Sequence, residues 1–459
     1  MYRTIADDVL YKNVTHYSSM TSTDLLTRWD EHQSWLDRRL AMGLDPYSKQ
    51  TSSRIEPECH VNTRDGRGTQ GVNFGSQDYL NLSSHPAVKA AAKAAIDNAG
   101  LHSAGSAALM GNTSLSVELE RRLAEFLGYS DCTLFPTGWG AGYGVIKTLV
   151  RPTDHVVIDR LAHACLVEGA YGATKNVHFF PHLSYRRACA LLAKIRSAYP
   201  ADGILLVTET VFSMDSDVPQ IRELQDACNQ YDATLLVDVA HDLGAIGDKG
   251  KGYLELQDCI GFPDILMGSF SKTFATNGGF VASNSASLKL ALRYNCGPLT
   301  FTNAISPVQC AIIGSCLDVI EADEGRDLRE KLMSNSLHMR QRMAETNFTV
   351  LGQPSAIIPV LLGDSALSRL ANHYAYNEGA ITNLVEYPAV RKNACRWRIQ
   401  MMARHDKGQI DKFVQIACGA VEAAKQHLDY IKREDNKEFV AAIGHRDAKN
   451  AAVEVQAWS

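Results

Sequence analysis

The stretch Asp264-Ile-Leu-Met-Gly-Ser-Phe-Ser-Lys272 ends a short apolar run with two serines and a lysine. Two earlier apolar runs also finish on polar groups, in Val207-Thr-Glu209 and in Leu235-Leu-Val-Asp238-Val-Ala-His241. Short continuous apolar runs are typical of strands that are covered on both faces, as in a parallel sheet. Because ligands of open α/β sheets bind beyond the carboxyl ends of the strands, these polar residues are predicted to face a ligand site.

The rest of the chain repeats this alternation of apolar runs and helical stretches. Residues 114–127, for example, place Leu119, Leu123 and Phe126 on one helical face, and Gly128 follows where a helix can end. Alternation of this kind predicts an α/β fold with a mainly parallel sheet and right-handed crossovers. The predicted strands are residues 155–159, 177–180, 203–208, 233–238, 264–268 and 279–282.

Changes in composition along the chain predict four parts. Residues 1–70 are polar and mixed, and we expect an N-terminal arm there with a helix within 25–42. Residues 71–306 contain the predicted strands and form the large domain. After them a helical stretch at 308–322 opens a smaller C-terminal α+β domain over 307–430. Residues 431–459 are predicted as a tail, with a solvated helix end and then a mobile or partner-packed segment.

Overall composition narrows the function by exclusion. The 459 residues are 45% hydrophobic and 21% charged with a formal net charge of −5, which predicts neither nucleic-acid nor membrane-surface binding. The apolar stretches are too short to span a bilayer. Eleven cysteines without a CxxC pair favour reduced thiols over a zinc site or a disulfide framework. Since the start resembles neither a signal nor a transit peptide, we expect a cytoplasmic protein without a metal site.

Lys272 and Asp238 are the candidate catalytic pair. In an apolar site the pKa of a lysine falls, and its neutral amine is a nucleophile that can form a Schiff base. An acid one strand away suits a cationic ring nitrogen, which it keeps protonated as part of an electron sink. His241 can orient that acid or contact the cofactor. Taken alone, a strand-end aspartate is as often a helix cap, and Ser-x-Ser-Lys fits an ordinary turn; the coincidence of both favours catalysis.

Two further motifs have a functional and a structural interpretation. Thr137-Gly138-Trp139-Gly140-Ala141-Gly142 precedes a helical stretch and exposes N–H groups at a helix N-terminus, which suits a phosphate. A tight turn explains the same glycines. His163, in Leu161-Ala-His-Ala-Cys, can stack on an aromatic ring or be an ordinary core histidine.

In this order the motifs resemble those of the α-oxoamine synthases, a family of fold-type I pyridoxal-phosphate (PLP) enzymes that includes serine palmitoyltransferase and aminooxononanoate synthase. The likeness covers residues 72–413, and the motifs are specific when taken together. They are Asp78-Tyr-Leu-Asn-Leu, Leu119-Glu-Arg-Arg-Leu-Ala-Glu-Phe-Leu-Gly, Thr137-Gly-Trp, His163-Ala-Cys, Glu209-Thr-Val-Phe-Ser-Met-Asp, Val237-Asp-Val-Ala-His and Ser269-Phe-Ser-Lys-Thr-Phe.

The resemblance implies a fold-type I transferase in which Lys272 is the Schiff-base lysine for PLP. The other implied cofactor contacts are Asp238 at the pyridine nitrogen, His163 on the ring face, His241 and Ser213 near the phenolic oxygen, and Gly138, Trp139, Ser269 and Ser271 at the phosphate.

The resemblance also implies substrate and partner contacts. Arg398 matches the arginine that binds the amino-acid carboxylate, and Gln77 lies at a substrate-binding position. Thr302 matches a residue that reaches the phosphate from the partner subunit, which implies a homodimer with shared active sites. The chain departs from the family pattern at Ala107, where arginine is usual, and at Val239, where glutamate is usual. These departures affect the choice of substrates and leave the PLP contacts intact.

The implied reaction is a decarboxylative condensation of an amino acid with an acyl thioester. Lys272 removes the Cα proton, the carbanion attacks the thioester, and an α-amino ketone, CO2 and free thiol result. The acyl group can be carried by coenzyme A or by an acyl-carrier protein. The alternatives are another reaction on the same fold, such as transamination or aldol cleavage, and a non-catalytic partner subunit.

Overall fold

The structure is a computed structural model that describes residues 2–17 and 22–456, with the backbone alone over 435–456. Its strands are β1 Gln50–Thr51, β2 Glu58–Asn62, β3 Gly68–Asn73, β4 Asp131–Phe135, β5 His155–Asp159, β6 Val177–Phe180, β7 Ile204–Glu209, β8 Thr234–Asp238, β9 Ile265–Ser269, β10 Gly279–Ser283, β11 Ile357–Gly363, β12 Ala380–Ile381, β13 Asn383–Val385 and β14 Cys395–Gln400.

The helices alternate with these strands along the chain. They are α1 Asp7–Tyr11, α2 Asp30–Ala41, α3 Pro86–Ala99, α4 Ser114–Leu127, α5 Gly138–Leu149, α6 Ala164–Ala173, α7 Tyr185–Ala198, α8 Ile221–Gln230, α9 Tyr253–Leu256, α10 Ala286–Asn295, α11 Gly297–Thr300, α12 Pro307–Glu321, α13 Asp323–Glu345, α14 Ser365–Asn377 and α15 Lys407–Gln456. Short 3-10 helices lie at Val14–His16, Thr27–Trp29 and Leu82–Ser84.

A seven-stranded sheet organises the large domain, in the order β4-β10-β9-β8-β7-β5-β6. Neighbouring strands from β9 to β6 pair in parallel, whereas β10 runs antiparallel to both β9 and β4. The predicted mainly parallel sheet is therefore confirmed. Every predicted strand is present with its ends within one residue of the prediction.

The continuous apolar runs are explained by two cores, one on each face of this sheet. Along β5, Val156 and Ile158 belong to a core shared with α5 and α6, while Val157 belongs to a core shared with α7 and α8. Alternate side chains of a strand point to opposite faces, so a strand that is covered twice must be apolar throughout.

The predicted helices form with the expected end signals. Helix α4 matches residues 114–127, the Thr113 side chain caps its start, and Gly128 ends it with a left-handed backbone at φ 80°. The helix expected within 25–42 is the shorter α2, and the helix expected at 308–322 is α12, which begins one residue earlier behind the Ser306 cap.

A second sheet joins strands from the N-terminal segment to a strand from the C-terminal part of the chain. Strands β1, β2 and β3 join β12, which pairs in parallel with β3, so the N-terminal segment packs on the C-terminal part. A third sheet, β11-β14-β13, carries the buried Trp397. The four-part division of the chain stays a prediction. In the predicted tail the backbone of α15 continues to Gln456, and 457–459 lie outside the described residues. None of the described helices is long and apolar enough to cross a bilayer.

Candidate active site

The carboxyl ends of three adjacent strands bring polar side chains together. Glu209 ends β7, Asp238 ends β8 and Ser269 ends β9, and Glu209 stands opposite Asp238 in the β7–β8 register. The strands run in parallel, so all three ends lie at one edge of the sheet, where open α/β sheets bind their ligands.

This edge forms the wall of a cavity of about 220 Å³. Eight of the predicted site residues line it: Gly138, Trp139, His163, Asp238, His241, Ser269, Ser271 and Lys272. Residues more than a hundred positions apart in the chain thus meet at one place.

Lys272 lies in the turn that joins β9 to β10. Phe270 and Phe274, both fully buried and packed edge to face at 5.2 Å, anchor the turn on either side of the lysine. Phe270 N–H also donates to Gly278 O at 3.0 Å. Burial lowers the pKa of Lys272, Asp238 opposes that shift, and the charge of Arg398 adds to it. The turn thus holds the amine in place, and burial destabilises its protonated form. The neutral, nucleophilic amine is therefore favoured.

Asp238 is a buried carboxyl that is poised for a cation. Its Oδ1 accepts a hydrogen bond of 2.8 Å from Ala240 N–H, and only 6% of the residue is exposed. Burial raises the pKa of Asp238, while the positive groups of His163 and Lys272 lower it. A cationic ring nitrogen beside this carboxyl would stabilise its ionised form.

The first turn of α5 approaches β9 closely. Thr137 Oγ1 caps the helix by accepting from Gly140 N–H at 3.0 Å. A Cβ on Gly138 would lie 2.4 Å from the Cβ of Ser269, so only glycine fits at this position. The Ser269 and Ser271 hydroxyls are 2.7 Å apart. Two hydroxyls beside a helix N-terminus make a set of donors that suits a phosphate.

His163 caps the start of α6 over the same cavity. Its Nδ1 accepts from Cys165 N–H at 3.3 Å, so the neutral ring carries its proton on Nε2. Its backbone N–H donates to Glu209 Oε1 at 2.5 Å. Burial lowers the pKa of His163, and the charges of Lys272 and Arg398 act in the same direction against that of Asp238.

His241 is held by a tyrosine that the sequence interpretation did not single out. The Tyr79 hydroxyl lies 3.0 Å from His241 Nδ1, and Tyr79 is fully buried. Burial, followed by the charges of Lys272 and Arg398, lowers the pKa of His241 well below its usual value. The neutral form of His241 is therefore favoured, and in this bond either the Tyr79 hydroxyl donates to Nδ1 or Nδ1–H donates to the Tyr79 oxygen.

Glu209, which was predicted to face a ligand site, lines the cavity, and so does Cys165, to which the sequence interpretation assigned no role. Burial and the nearby Asp238 raise the pKa of Glu209 well above its usual value. The signal for Glu209 in the sequence is its position at the end of an apolar run, like that of Asp238. Tyr79 lies inside a family motif, but nothing in the sequence connects it with His241, 162 residues away.

The remaining predicted residues lie outside the wall of this cavity. Arg398, on β14, is close enough for its charge to lower the pKa values of Lys272, His163 and His241. Ser213 precedes Met214, whose Sδ is 3.9 Å from Arg398 Nη1. Gln77 and Thr302 are half-buried beside Asp78 and Phe301. The cavity brings eight of the predicted residues together, and the roles of all twelve stay predictions.

Comparison with known proteins adds independent findings. Residues 69–416 match the family model described as aminotransferase class I and II. The chain is 32% identical over 349 residues to 2-amino-3-ketobutyrate coenzyme A ligase of Escherichia coli K12, covering 76% of this chain and 87% of that protein.

Solved structures agree with this match. Serine palmitoyltransferase of Sphingomonas wittichii superposes with a TM-score of 0.81 at 28% identity, covering 88% of this chain and 99% of that one. A high-resolution structure of SPT with PLP gives the same TM-score at 27% identity and covers the same shares of the two chains. 8-Amino-7-oxononanoate synthase of Francisella tularensis superposes with a TM-score of 0.64 at 21% identity, covering 77% of this chain and 98% of that one. At this identity the likeness concerns the fold alone.

Proposed function

We propose that this chain, which belongs to the α-oxoamine synthases within the aminotransferase class I and II family, uses the cavity beside Lys272 as its active site. There it joins an amino acid to an acyl thioester. It has the fold-type I PLP transferase fold, and it is a PLP-dependent acyltransferase that catalyses a decarboxylative condensation. The fold, cofactor and reaction class predicted from the sequence are confirmed.

The observation that carries the site assignment is one cavity that presents a complementary group to each part of PLP. An amine, Lys272, suits the aldehyde, and a buried carboxyl, Asp238, suits the ring nitrogen. The helix N-terminus at Gly138, with the Ser269 and Ser271 hydroxyls, suits the phosphate. The residues present therefore fit the cofactor.

The chain's own groups then divide the work of the reaction. PLP, when bound, supplies the electron sink that stabilises a carbanion at the substrate Cα. Asp238 places a negative charge opposite the ring nitrogen, and Arg398 binds the carboxylate of the amino acid. Lys272, with its lowered pKa, is the base that removes the Cα proton. A C–C bond then forms between Cα and the acyl carbon as the C–S bond breaks, and the thiolate takes up a proton to leave as thiol. Loss of the carboxylate as CO2 leaves a second carbanion at Cα, which also takes up a proton; one proton comes from Lys272 and one from solvent.

Neutral groups complete the arrangement around the reacting atoms. His241 and Tyr79 form a hydrogen-bonded pair of 3.0 Å that can donate to or accept from an oxygen without adding charge. His163 presents Nε2–H and a flat ring face to the cavity. Burial lowers the pKa values of His163 and His241 and so favours their neutral forms, which leaves Arg398 as the group that offers a positive charge to the anionic part of the substrate.

The names of the relatives guide the choice of substrates. The Escherichia coli relative is a coenzyme A ligase, so we propose acyl-coenzyme A as the donor, with an acyl-carrier protein as the alternative. The amino acid is left open, because Ala107 and Val239 replace the family's usual charged residues. The cytoplasmic location stays a prediction.

A matrix of amino acids against acyl thioesters tests the proposed function. We expect thiol release that requires both substrates and a product mass that equals their sum less thiol and CO2. Formation of a keto acid without thiol release would instead indicate transamination. Retro-aldol cleavage of a β-hydroxy amino acid, again without thiol release, would indicate an aldolase.

We also propose that two copies of the chain share their active sites. Four exposed apolar side chains, Leu101, Leu109, Met110 and Phe301, lie on two segments that are tied by a 2.8 Å bond from Ala304 N–H to Gly105 O. Phe301 is 89% exposed and adjoins Thr302, the predicted contact to the partner's phosphate site. A second copy would cover this surface. Light scattering should give twice the chain mass, and Thr302→Ala should weaken PLP binding.

A further inference from the structure

Two arginines on β14 have different partners, although their side chains share one face of the strand. Arg396 pairs with the Asp215 carboxylate and also donates to Met214 O and Ala394 O, each at 3.1 Å. Its charge is thus neutralised within the protein. Arg398, two residues further on, has no carboxylate partner among the described residues.

Arg398 is held instead by a neutral amide. With the Gln400 side chain oriented so that its oxygen faces the guanidinium, that oxygen accepts from Arg398 Nε at 2.7 Å and from Nη2 at 2.8 Å. The opposite orientation would place N–H donors against N–H donors. The oxygen uses two of the five guanidinium N–H groups. At the Nη1–Nη2 end the one further contact among the described residues is from Nη1 to Met214 Sδ at 3.9 Å, a weak acceptor that a bidentate carboxylate can replace.

Gln400 is itself rigidly anchored. The residue is fully buried, and its backbone N–H donates to Phe74 O at 2.8 Å. It ends β14, where it is paired with Ile357 of β11. The amide oxygen therefore occupies a fixed point, and two hydrogen bonds to one fixed acceptor define both the position and the plane of the guanidinium.

We propose that Gln400 is a positioning residue that aims Arg398 at the amino-acid carboxylate and, because it is neutral, leaves the charge of Arg398 available to the substrate. This inference rests on the proposed function of Arg398 as the carboxylate-binding residue. An acidic side chain in place of Gln400 would hold the guanidinium equally well but would neutralise it, as Asp215 does for Arg396.

The holoenzyme with Gln400→Glu or Gln400→Met provides the test. The dissociation constant of an amino acid is measured from the change in cofactor absorbance and compared with that of its methyl ester, which lacks the negative charge. We expect Gln400→Glu to weaken amino-acid binding by at least about tenfold and to change ester binding by less than about threefold. Gln400→Met, which loses orientation but adds no charge, should give an intermediate loss for the amino acid.

The pH dependence separates charge from shape. Lowering the pH should partly restore amino-acid binding in Gln400→Glu, since a protonated glutamic acid no longer neutralises Arg398, and should have no such effect in Gln400→Met. Equal losses for the amino acid and its ester, or wild-type affinity in both variants, would overturn the inference. Arg398→Ala is the separate test of the proposed function: unchanged amino-acid affinity in that variant would remove Arg398 from substrate binding altogether.

Discussion

Two clusters of buried charged residues differ in whether their charges are paired within the protein. The arm cluster, Arg39, Arg369 and Glu386, joins the N-terminal arm to the segment that follows β13. Glu386 accepts from Arg39 at 3.0 Å and from Arg369 at 2.5 Å. The cavity cluster consists of Lys272, Asp238 and Glu209 at the edge of the main sheet and of Arg398 on β14 of the third sheet. In it neither Lys272 nor Arg398 forms an ion pair within the described part of the chain.

The difference is in what neutralises each charge. In the arm cluster, oppositely charged side chains and the carbonyls of Val9 and Leu10 bind the guanidinium groups. In the cavity cluster Lys272 has Asp238 and Glu209 near it without a direct ion pair, and Arg398 is held by a neutral amide, so a ligand can bind to either cation. Buried charges are costly unless they are paired, and a buried cation without a protein partner therefore marks a binding site.

Of the changes considered, removal of Lys272 should reduce turnover most. It tests whether the cavity cluster is the active site. Lys272→Ala removes the proposed base and the amine proposed to anchor the cofactor, and we expect thiol release to fall by roughly 10²-fold to 10⁴-fold or more. The characteristic colour of the cofactor-bound enzyme should also be lost, and borohydride should no longer fix the vitamer to the chain. Both are measured by absorbance and mass spectrometry.

The matched control is a second lysine whose amine does have a protein partner. Lys49 Nζ donates to Thr382 O at 3.0 Å, and burial lowers the pKa of Lys49 to about 8. Lys49→Ala should reduce stability and keep turnover per folded molecule. Full thiol release by Lys272→Ala would contradict the assignment of the site.

Breaking the arm cluster should affect stability and leave catalysis intact. Glu386→Gln removes the carboxylate charge between two buried arginines, and loss of one partner from a buried pair costs about 3–5 kcal/mol. Urea unfolding measures the change. As a control, Glu118→Gln breaks an exposed pair with Arg121 on α4 and should cost about 0–1 kcal/mol. If Glu386→Gln is as stable as the wild type, the arm cluster does not stabilise the fold.

How well the sequence predicted a region depends on how far apart along the chain its contacting residues are. The strands of the main sheet and the residues at their ends could be predicted, because each is a local pattern of apolar residues followed by polar ones. The direction of β10 could not, since the apolar run 279–282 has the same composition in a parallel or an antiparallel strand. Thr302 could not be tested in a single chain, because its predicted contact lies in a second copy.

The side chains that hold the catalytic groups were the hardest to predict. Tyr79 contacts His241 only because the loop after β3 folds over the end of β8. Gln400 is two residues from Arg398, so strand alternation places both on one face, but glutamine in a strand carries no sign of function. The arm cluster was missed for the same reason, since Arg39 and Glu386 are 347 residues apart.

Replacement of His182 should have the smallest effect on activity and stability. Its charge is paired, as in the arm cluster, but it lies close to the cavity cluster. Its Nδ1 is 2.9 Å from Asp159 Oδ1 and its Nε2 is 3.2 Å from Asp217 Oδ2, beside the segment that carries Met214. Burial lowers the pKa of His182, but the bonds to both carboxylates outweigh it and raise the pKa to about 9. A histidine with a raised pKa stabilises the folded state fully below its ordinary pKa of 6.5, and this contribution is lost as the pH rises through about 9.

The expected result is a stability difference between the wild type and His182→Gln that is largest at pH 6 and shrinks towards pH 9, measured by urea unfolding across that range. Parallel curves would mean that His182 is neutral in the folded protein. Since His182 is paired with two aspartates, as the arginines of the arm cluster are paired with Glu386, its loss should alter stability and leave the amino-acid KM within about twofold of the wild type. A larger change in KM would show that a fully paired charge can still position substrate, and pairing alone would then no longer separate the two kinds of cluster.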